Sequence, residues 1–267
     1  MLTQNDHALF FKGDNILTCK GKEPFIIPCS DVYINPNKLP SVRDSLFIEQ
    51  SNGKKIFAVF YEQPIENDDL SLMPARDALM MADKKTSQLI CRAKHLLYWH
   101  RSSLFSGCCG SPTKLSEVEI AKICQHCQRV IYPTTSSIVI ILIEKEGNIL
   151  LARSPHFAKG MYSTLAGFVD AGESYEEAVH REVQEEVGIK VKDLTYFGSQ
   201  SWPFPGSITV AYRAKYAEGE ICIDPKEIED AKWFDPQKLP LLPHPCSISR
   251  HIIDDYTNSN SFLTSAI

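Results

Sequence analysis

Glutamates crowd one short stretch of this sequence. Glu182 and Glu186 stand one helical turn apart, with Glu185 beside them. Like charges at this spacing destabilise a helix by roughly a few tenths of a kcal/mol unless something neutralises them. Arg181 can pair with Glu177 and Glu185, but the cluster stays negative. A solvated acidic face is the ordinary interpretation, although converging carboxylates also suit Mg²⁺ or Mn²⁺, which prefer oxygen ligands and bind phosphates too.

A helix that begins after a tight glycine turn would position these acids. Gly167 and Gly172 precede Ser174-Tyr175-Glu176-Glu177. This quartet has the form of a capping box, in which serine and glutamate side chains bond free N–H groups of the first turn. An apolar stripe follows at every fourth residue: Val179, Val183 and Val187. Gly188 would end the helix, because glycine enters the left-handed conformation freely.

The complete spacing resembles the Nudix box. Five residues separate Gly167 from Glu173, and seven more lead to Arg181-Glu182. An aliphatic and one further residue lead to Glu185-Glu186, and one more residue leads to Gly188 and an aliphatic. So many fixed positions in a fitting turn–helix context leave little room for a chance match. The resemblance implies a hydrolase of nucleoside diphosphate derivatives that needs a divalent cation.

Length and composition are those of an ordinary soluble globular protein. The chain has 267 residues, of which 43% are hydrophobic and 23% charged, enough for two modest domains and a small module. Its formal net charge of -5 argues against an extended electrostatic footprint on nucleic acid. No apolar run approaches the roughly 20 residues needed to cross a bilayer. The N-terminus shows no secretory signal, so we expect no membrane contact.

Four of the nine cysteines form a cluster: Cys108, Cys109, Cys124 and Cys127. Scattered thiols plus one cluster fit a metal site in a reducing cytosol better than a disulfide framework, which predicts a cytoplasmic protein. A zinc ribbon needs two Cys-x-x-Cys knuckles. The second is complete, but Ser106 replaces the first thiol of the other. Cys108, His126 or water would supply the fourth zinc ligand, or the thiols pack without metal.

Three parts follow one another along the chain. Residues 1–103 are predicted to form a β-rich domain that ends in a helix, with Asn52-Gly53 as a hairpin signal. Residues 104–132 form a small zinc-ribbon-like module. Residues 133–267 form the catalytic domain, where the β-branched run at 137–143 is typical of a strand buried on both faces. Mixed strands between the catalytic helix and a final helix predict an α/β fold, a Nudix α/β/α sandwich.

A second motif lies at residues 199–207. Two prolines alternating with two large aromatics exclude a central strand and predict a stiff loop, because each proline removes a ladder donor. Trp202 and Phe204 would anchor this loop in a core or stack on a ligand. The motif resembles the Ser-Gln-Pro-Trp-Pro-Phe-Pro-x-Ser sequence of the NADH pyrophosphatase, or NAD-capped RNA hydrolase, subfamily, with Ser201 replacing its first proline. The order of the three parts also resembles this subfamily.

The subfamily resemblance implies hydrolysis of NAD(H) to nicotinamide mononucleotide and AMP by a homodimer, with NAD caps on RNA 5′ ends as related substrates. It implies a divalent metal site formed by the carbonyl of Ala166 and the carboxylates of Glu182, Glu186 and Glu227. Glu185 would assist these ligands, and either Glu185 or Glu186 would remove the proton of the attacking water. Arg181 would orient the acids, and Glu173 would be its partner. Mg²⁺ or Mn²⁺ would lower the pKa of a bound water that attacks one phosphorus.

The resemblance also assigns a substrate pocket. Phe168 and Tyr132 of the partner subunit would sandwich the nicotinamide ring. Ser249 would contact substrate, and Arg76 is either a surface arginine or a holder of substrate phosphate. The second motif would line the nucleotide pocket through Gln200, Ser201, Trp202, Pro203, Phe204, Pro205, Gly206 and Ser207.

Two other functions compete with this one. Another dinucleotide or ADP-ribose would be the substrate of a closely related enzyme. A non-catalytic nucleotide sensor, or an adaptor with an inactive Nudix domain, belongs to another class. The intact set of acids argues against an inactive domain.

Overall fold

The structure is a computed structural model that describes residues 2–3, 5–21, 23–32, 45–51, 53–61, 67–204 and 206–264. It consists of two compact units. The first comprises Met1–Thr135 and Pro203–Gly206, and the second comprises Ser136–Trp202 and Ser207–Ile267. The division into three parts at residues 103 and 132 stays a prediction. Within the described ranges, no helix is long and apolar enough to cross a membrane.

The first unit carries a six-stranded sheet among its described residues. Its strands are β1 (His7–Lys12), β2 (Asn15–Cys19), β3 (Ile27–Pro28), β4 (Ser45–Ser51), β5 (Lys54–Phe60) and β6 (Leu70–Pro74). Five follow the order β4-β5-β1-β2-β6, and β3 pairs with β1. The predicted hairpin is confirmed, because β4 and β5 pair antiparallel around Gly53, whose φ is 76°. Asn52 lies outside the described residues.

Among the described residues, three helices accompany this sheet: α1 (Cys29–Val32), α2 (Ala75–Met81) and α3 (Lys84–Ser102). The helix predicted at the end of the β-rich region is α3. Asp83 caps it by accepting a hydrogen bond of 2.9 Å from the Thr86 N–H. Its apolar stripe packs on one face of the sheet through Leu89, Ile90, Ala93, Leu96 and Leu97.

A small antiparallel sheet holds the cysteine cluster. It consists of β7 (Thr113–Leu115), β8 (Lys122–Cys124) and β9 (Val130–Ile131), in that spatial order. Lys122 is almost fully buried, and its ammonium donates to the backbone carbonyl of His100. Because His100 lies in the last turn of α3, this bond ties the small sheet to that helix.

The second unit carries a mixed sheet. Its strands are β10 (Ser136–Lys145), β11 (Asn148–Arg153), β12 (Leu165–Phe168), β13 (Lys190–Trp202), β14 (Ser207–Glu218) and β15 (Asp230–Phe234). Five follow the order β13-β14-β10-β11-β15, and β12 pairs with β10. β10 and β14 run parallel, whereas the other pairs are antiparallel.

Two helices cover the two faces of this sheet, α4 (Tyr175–Val187) and α5 (Ile248–Thr264). The strand predicted to be buried on both faces is β10. Val139, Ile141 and Ile143 pack with the valine stripe of α4. The intervening Ile140 and Leu142 pack with α5. The predicted α/β/α sandwich is therefore confirmed.

The predicted capping box is present at the start of α4. The Glu177 N–H donates to the Ser174 hydroxyl over 3.2 Å, and the Ser174 N–H donates to the Glu177 carboxylate over 2.8 Å. Gly188 ends the helix with a φ of 72°. Glu177 is occupied by the cap, so the predicted pairing of Arg181 with Glu177 is wrong.

Replacing Ser174 with Ala should destabilise the second unit by about 1 kcal/mol, because the cap of α4 is lost. A change of this size lowers the melting temperature by about 4 °C, since the length of this unit falls between the smaller domains, which shift more, and the larger ones, which shift less. Thermal unfolding followed by circular dichroism measures it. Ser174→Thr keeps the hydroxyl and should melt close to the original protein; equal melting of both variants would contradict a stabilising cap.

Candidate active site

Gly167 lets the acidic helix approach strand β12. A Cβ built on Gly167 would stand 1.7 Å from Cδ of Glu182 and 2.1 Å from each of its carboxylate oxygens. Gly167 is absent from the glycines with positive φ, so its backbone conformation does not demand glycine. The first glycine of the box is therefore required for space, because the carboxylate of Glu182 lies directly against its Cα.

Arg181 organises the acids around it. Its guanidinium binds both oxygens of Glu173, at 2.6 and 2.8 Å, and donates to Glu182 at 2.8 Å and to Glu185 at 2.9 Å. It also donates to the carbonyl of Phe168 over 2.8 Å. These bonds to Arg181 lower the pKa of Glu173 to about 2, with help from the Asp170 N–H. Arg181 thus joins the glycine turn to α4.

Among the clustered glutamates, Glu186 has the most strongly raised pKa. Only 5% of the residue is exposed, and its Oε2 atom has no hydrogen-bond partner. Burial raises the pKa of Glu186 to about 8, and the charges of Glu182 and Glu227 add to the rise. Burial also raises the pKa of Glu182, against the opposing effect of Arg181. A cation at this point would satisfy the orphaned oxygen and balance the charge.

The backbone of Ala166 faces the same acids. The Ala166 N–H donates to Glu186, while the Val169 N–H donates to Ser137 on β10 over 3.0 Å. In an antiparallel ladder the N–H and C=O of one residue point to the same side, and successive residues alternate. The Ala166 carbonyl therefore points away from β10, toward α4, as does the Phe168 carbonyl that Arg181 binds.

Glu227 belongs to a turn that is attached to the end of α4. The Asp224 N–H donates to the carbonyl of Glu186 over 3.1 Å, and the Glu227 N–H donates to the carbonyl of Asp224 over 3.1 Å. No three of these carboxylates bring ligand atoms within 4.8 Å of one another. In this arrangement no three of them can contact one ion directly, and a divalent cation bound through one or two carboxylates would complete its shell with waters and phosphate oxygens.

Three of the clustered thiols converge on one point. Ligand atoms of Cys109, Cys124 and Cys127 all lie within 4.8 Å of one another, the sole such group in the described part of the chain. The Cys124 Sγ accepts from the N–H groups of His126 and Cys127, each at 3.4 Å. Cys108 lies outside this group, and so does the imidazole of His126. Three convergent thiols with N–H···S bonds are a donor set that fits zinc.

Two domain models match the regions just described. A NUDIX domain model matches residues 133–256, and an NADH pyrophosphatase zinc ribbon domain model matches residues 101–132. An NAD-capped RNA hydrolase NudC of Pseudomonas aeruginosa (strain LESB58) is 42% identical over 204 residues, which cover 76% of this chain and 73% of that protein. The chain belongs to the Nudix hydrolase family. An NAD-capped RNA hydrolase NudC of Chromobacterium violaceum is 47% identical over 181 residues, 68% of each chain.

The second motif of this Nudix hydrolase is not a loop throughout. β13 runs to Trp202 and pairs with β14, which begins at Ser207 opposite it. The prediction of a loop over residues 199–207 is therefore wrong for most of its length. Only residues 203–206, hereafter the hairpin tip, leave the ladder. Pro203 lies in this tip, outside the ladder, so it removes no ladder donor. Pro205 is outside the described residues.

Gln200 positions the start of α5. Its amide nitrogen donates to the Cys246 carbonyl over 2.7 Å, and its amide oxygen accepts from the Ile248 N–H over 2.8 Å. Ser249 follows directly, and the structure therefore brings Gln200 and Ser249 together. Ser207, on the neighbouring strand, is buried and its hydroxyl has no hydrogen-bond partner. The Nudix hydrolase thus keeps an unsatisfied polar atom within the predicted pocket motif.

Phe204 in the hairpin tip packs within the first unit. It lies against the apolar cluster beneath α3. The Arg76 guanidinium carbon lies 5.4 Å from its ring centroid and the Lys94 ammonium 5.1 Å from it. Arg76 therefore contacts the second motif, which the resemblance had assigned to the same substrate pocket. The sequence analysis did not identify the contact of Lys94 with this motif. The available signal was its position four residues after Ile90, which places a charged residue on the apolar stripe of α3.

The two aromatic residues assigned to the nicotinamide lie in different units. Phe168 is 54% exposed at the end of β12, and Tyr132 is 52% exposed. The Tyr132 hydroxyl donates to Glu119 over 3.1 Å. Each ring is open to a ligand in its own unit.

Cation binding to this Nudix hydrolase should depend on pH. In the cation-free protein the pKa of Glu186 rises from 4.5 to about 8, so between these values the folded state holds a proton that the unfolded state has lost. Stability therefore falls as pH rises through this window. A bound cation replaces the proton, and Mn²⁺ should raise the melting temperature more at about pH 8 than at about pH 6.

Melting curves with and without Mn²⁺ at the two pH values measure this effect. Glu186→Gln cannot titrate and should remove most of the pH dependence. An equal Mn²⁺-induced shift at both pH values would contradict the role given to Glu186.

Proposed function

We propose that the protein hydrolyses the pyrophosphate bond of NAD(H), releasing nicotinamide mononucleotide and AMP. The observation that carries the proposal is the buried, unpartnered oxygen of Glu186 beside the charges of Glu182 and Glu227. A site that is short of positive charge suits a cation bound to paired phosphates. The relatives named NAD-capped RNA hydrolase support the dinucleotide as substrate.

Roles for the side chains follow from their contacts. Glu182, Glu186, Glu227 and the Ala166 carbonyl would hold Mg²⁺ or Mn²⁺. Such a cation, when bound, neutralises diphosphate oxygens and lowers the pKa of a bound water. Arg181 holds Glu182 and Glu185 in place through its bonds to both. Glu185, whose side chain is 60% exposed, would take the proton of the attacking water, since Glu186 is engaged at the buried end.

The substrate side of the proposal rests on the second motif and two aromatics. Residues 200–207, with Ser249, would line the nucleotide pocket. Phe168 and Tyr132 of the partner subunit would enclose the nicotinamide ring in a homodimer. Arg76 lies beside Phe204 and would hold a substrate phosphate. Zinc would occupy the cysteine site as a structural ion, and nine free thiols suit a reducing, cytoplasmic setting.

The same bond occurs in RNA that carries a 5′ NAD cap. We include removal of this cap in the proposed function, because the named relatives act on such RNA. Because the protein has a net charge of -5, it should bind such RNA mainly through the cap rather than through the negatively charged backbone. Decapping should then survive high salt, since backbone binding weakens steeply with salt.

A substrate panel tests the proposal. NADH, NAD⁺, ADP-ribose, a diadenosine compound and an NAD-capped oligonucleotide are incubated with Mg²⁺ or Mn²⁺, and AMP is measured by chromatography. We expect equal amounts of AMP and reduced nicotinamide mononucleotide from NADH. Hydrolysis of ADP-ribose without hydrolysis of NAD(H) would favour the related enzyme. Binding of NADH without hydrolysis by any metal form would favour the nucleotide sensor.

A further inference from the structure

The two knuckles of the cysteine site have the same local structure but different first residues. In the second knuckle, Cys124 accepts a hydrogen bond from the N–H two residues later, at 3.4 Å. In the first knuckle, the Ser106 hydroxyl accepts from the N–H of Cys108, also two residues later, at 3.2 Å. Ser106 therefore occupies the position of a first zinc ligand in a correctly folded knuckle.

The Ser106 hydroxyl also faces the thiols. Its Oγ atom lies 3.6 Å from the Cys127 Sγ, and only 3% of the residue is exposed. The opposite pair, Cys109 and Cys124, has its sulfurs 3.5 Å apart. Cys108 lies outside the convergent group. Three thiols thus converge on one point, and a neutral hydroxyl, not a fourth thiol, borders the group beside Cys127.

A serine hydroxyl is not among the usual protein ligands of zinc, which are thiolates, imidazoles and carboxylates. Structural zinc sites close all four positions with such ligands, whereas a site with three protein ligands keeps a water at the fourth. Three thiolates also leave the complex with one negative charge fewer than four. The donor set of this ribbon therefore matches an open site, although its fold is that of a closed one.

We propose that the ribbon binds zinc through Cys109, Cys124 and Cys127, and that its fourth position is open to an exchangeable ligand. Water fills this position at rest and bonds to the Ser106 hydroxyl. A small-molecule thiolate, being softer than water, displaces it and completes a four-sulfur shell. The open position also lets chelators reach the ion, so the metal leaves faster than from a four-cysteine site.

Cobalt spectroscopy on the full-length protein tests the ligand count, because sulfur-to-cobalt charge-transfer absorbance grows with the number of thiolate bonds. We expect one Co²⁺ per ribbon and an intensity about three quarters of that of Ser106→Cys, the matched four-thiolate variant. Cys108→Ser and His126→Ala should leave the spectrum unchanged. Added 2-mercaptoethanol should raise the intensity of the original protein toward that of Ser106→Cys, and leave Ser106→Cys unchanged.

Zinc transfer to a chromophoric chelator gives a second, independent readout. The original protein should release zinc at least about tenfold faster than Ser106→Cys, with circular dichroism confirming that all variants are folded. Loss of intensity in Cys108→Ser or His126→Ala would overturn the proposal by identifying a fourth protein ligand. Failure of the original protein to bind one Co²⁺ per ribbon would overturn the proposal as well. So would equal rates of zinc release from the original protein and from Ser106→Cys.

Discussion

Replacing Glu186 with Gln should lower kcat for NADH by about 10³-fold or more and leave the fold intact. The Oε2 atom of Glu186 is buried without a partner, and a neutral amide would remove the negative charge that a cation needs there. Removal of one element of electrostatic transition-state stabilisation typically costs 10²–10³ in kcat, roughly 3–4 kcal/mol. The loss should be larger here because cation binding and water activation fail together.

Glu220→Gln is the matched control for this experiment. Glu220 is an exposed acid of the same unit, so this exchange removes one charge outside the cluster and should leave kcat near its original value. Steady-state release of AMP from NADH at saturating Mn²⁺ measures both variants. If Glu186→Gln has near-normal turnover and a normal melting temperature, the acids of α4 do not form the catalytic site.

The parts of the fold that the sequence predicts are those fixed by local rules. Capping box, valine stripe and terminal glycine of α4 lie within fifteen residues, and each follows from hydrogen bonding or periodicity along one helix. The β-branched run in β10 likewise predicts that this strand is buried on both faces. The Nudix spacing added the metal-site hypothesis, since a motif carries information about partners that local rules lack.

Features that depend on distant partners were not predictable in the same way. The prediction of a loop over residues 199–207 counted the prolines against the whole segment, whereas Pro203 lies beyond the end of β13 and leaves the ladder of residues 199–202 intact. The side-chain amide of Gln200 forms hydrogen bonds with the backbone of Cys246 and Ile248 at the start of α5, 46 and 48 residues away along the chain. Lys94 meets Phe204 only through the fold. Long-range contacts of this kind leave no periodic signal in one sequence.

Replacing Gly167 with Ala should lower kcat by about 10²-fold with little loss of stability. The added methyl group would stand 1.7 Å from the Glu182 Cδ, so the carboxylate must move away and break its bond to Arg181. Its side chain is flexible, and a rotation relieves the clash without shifting the backbone. A displacement of about 1 Å at a catalytic group is enough to cost 10²-fold in rate.

Gly198→Ala separates this effect from a general cost of adding a methyl group to the sheet. Gly198 lies in β13 and also lacks a positive φ, but its Cβ would meet only the Ile248 Cδ1 atom, at an ordinary 3.9 Å. Turnover of NADH and thermal melting are measured for both variants. We expect Gly198→Ala to retain activity, whereas Gly167→Ala should keep its melting temperature and lose its Mn²⁺-induced stabilisation. If Gly167→Ala binds Mn²⁺ and turns over normally, Glu182 does not need its place against β12, and the close packing of helix and strand has no catalytic purpose.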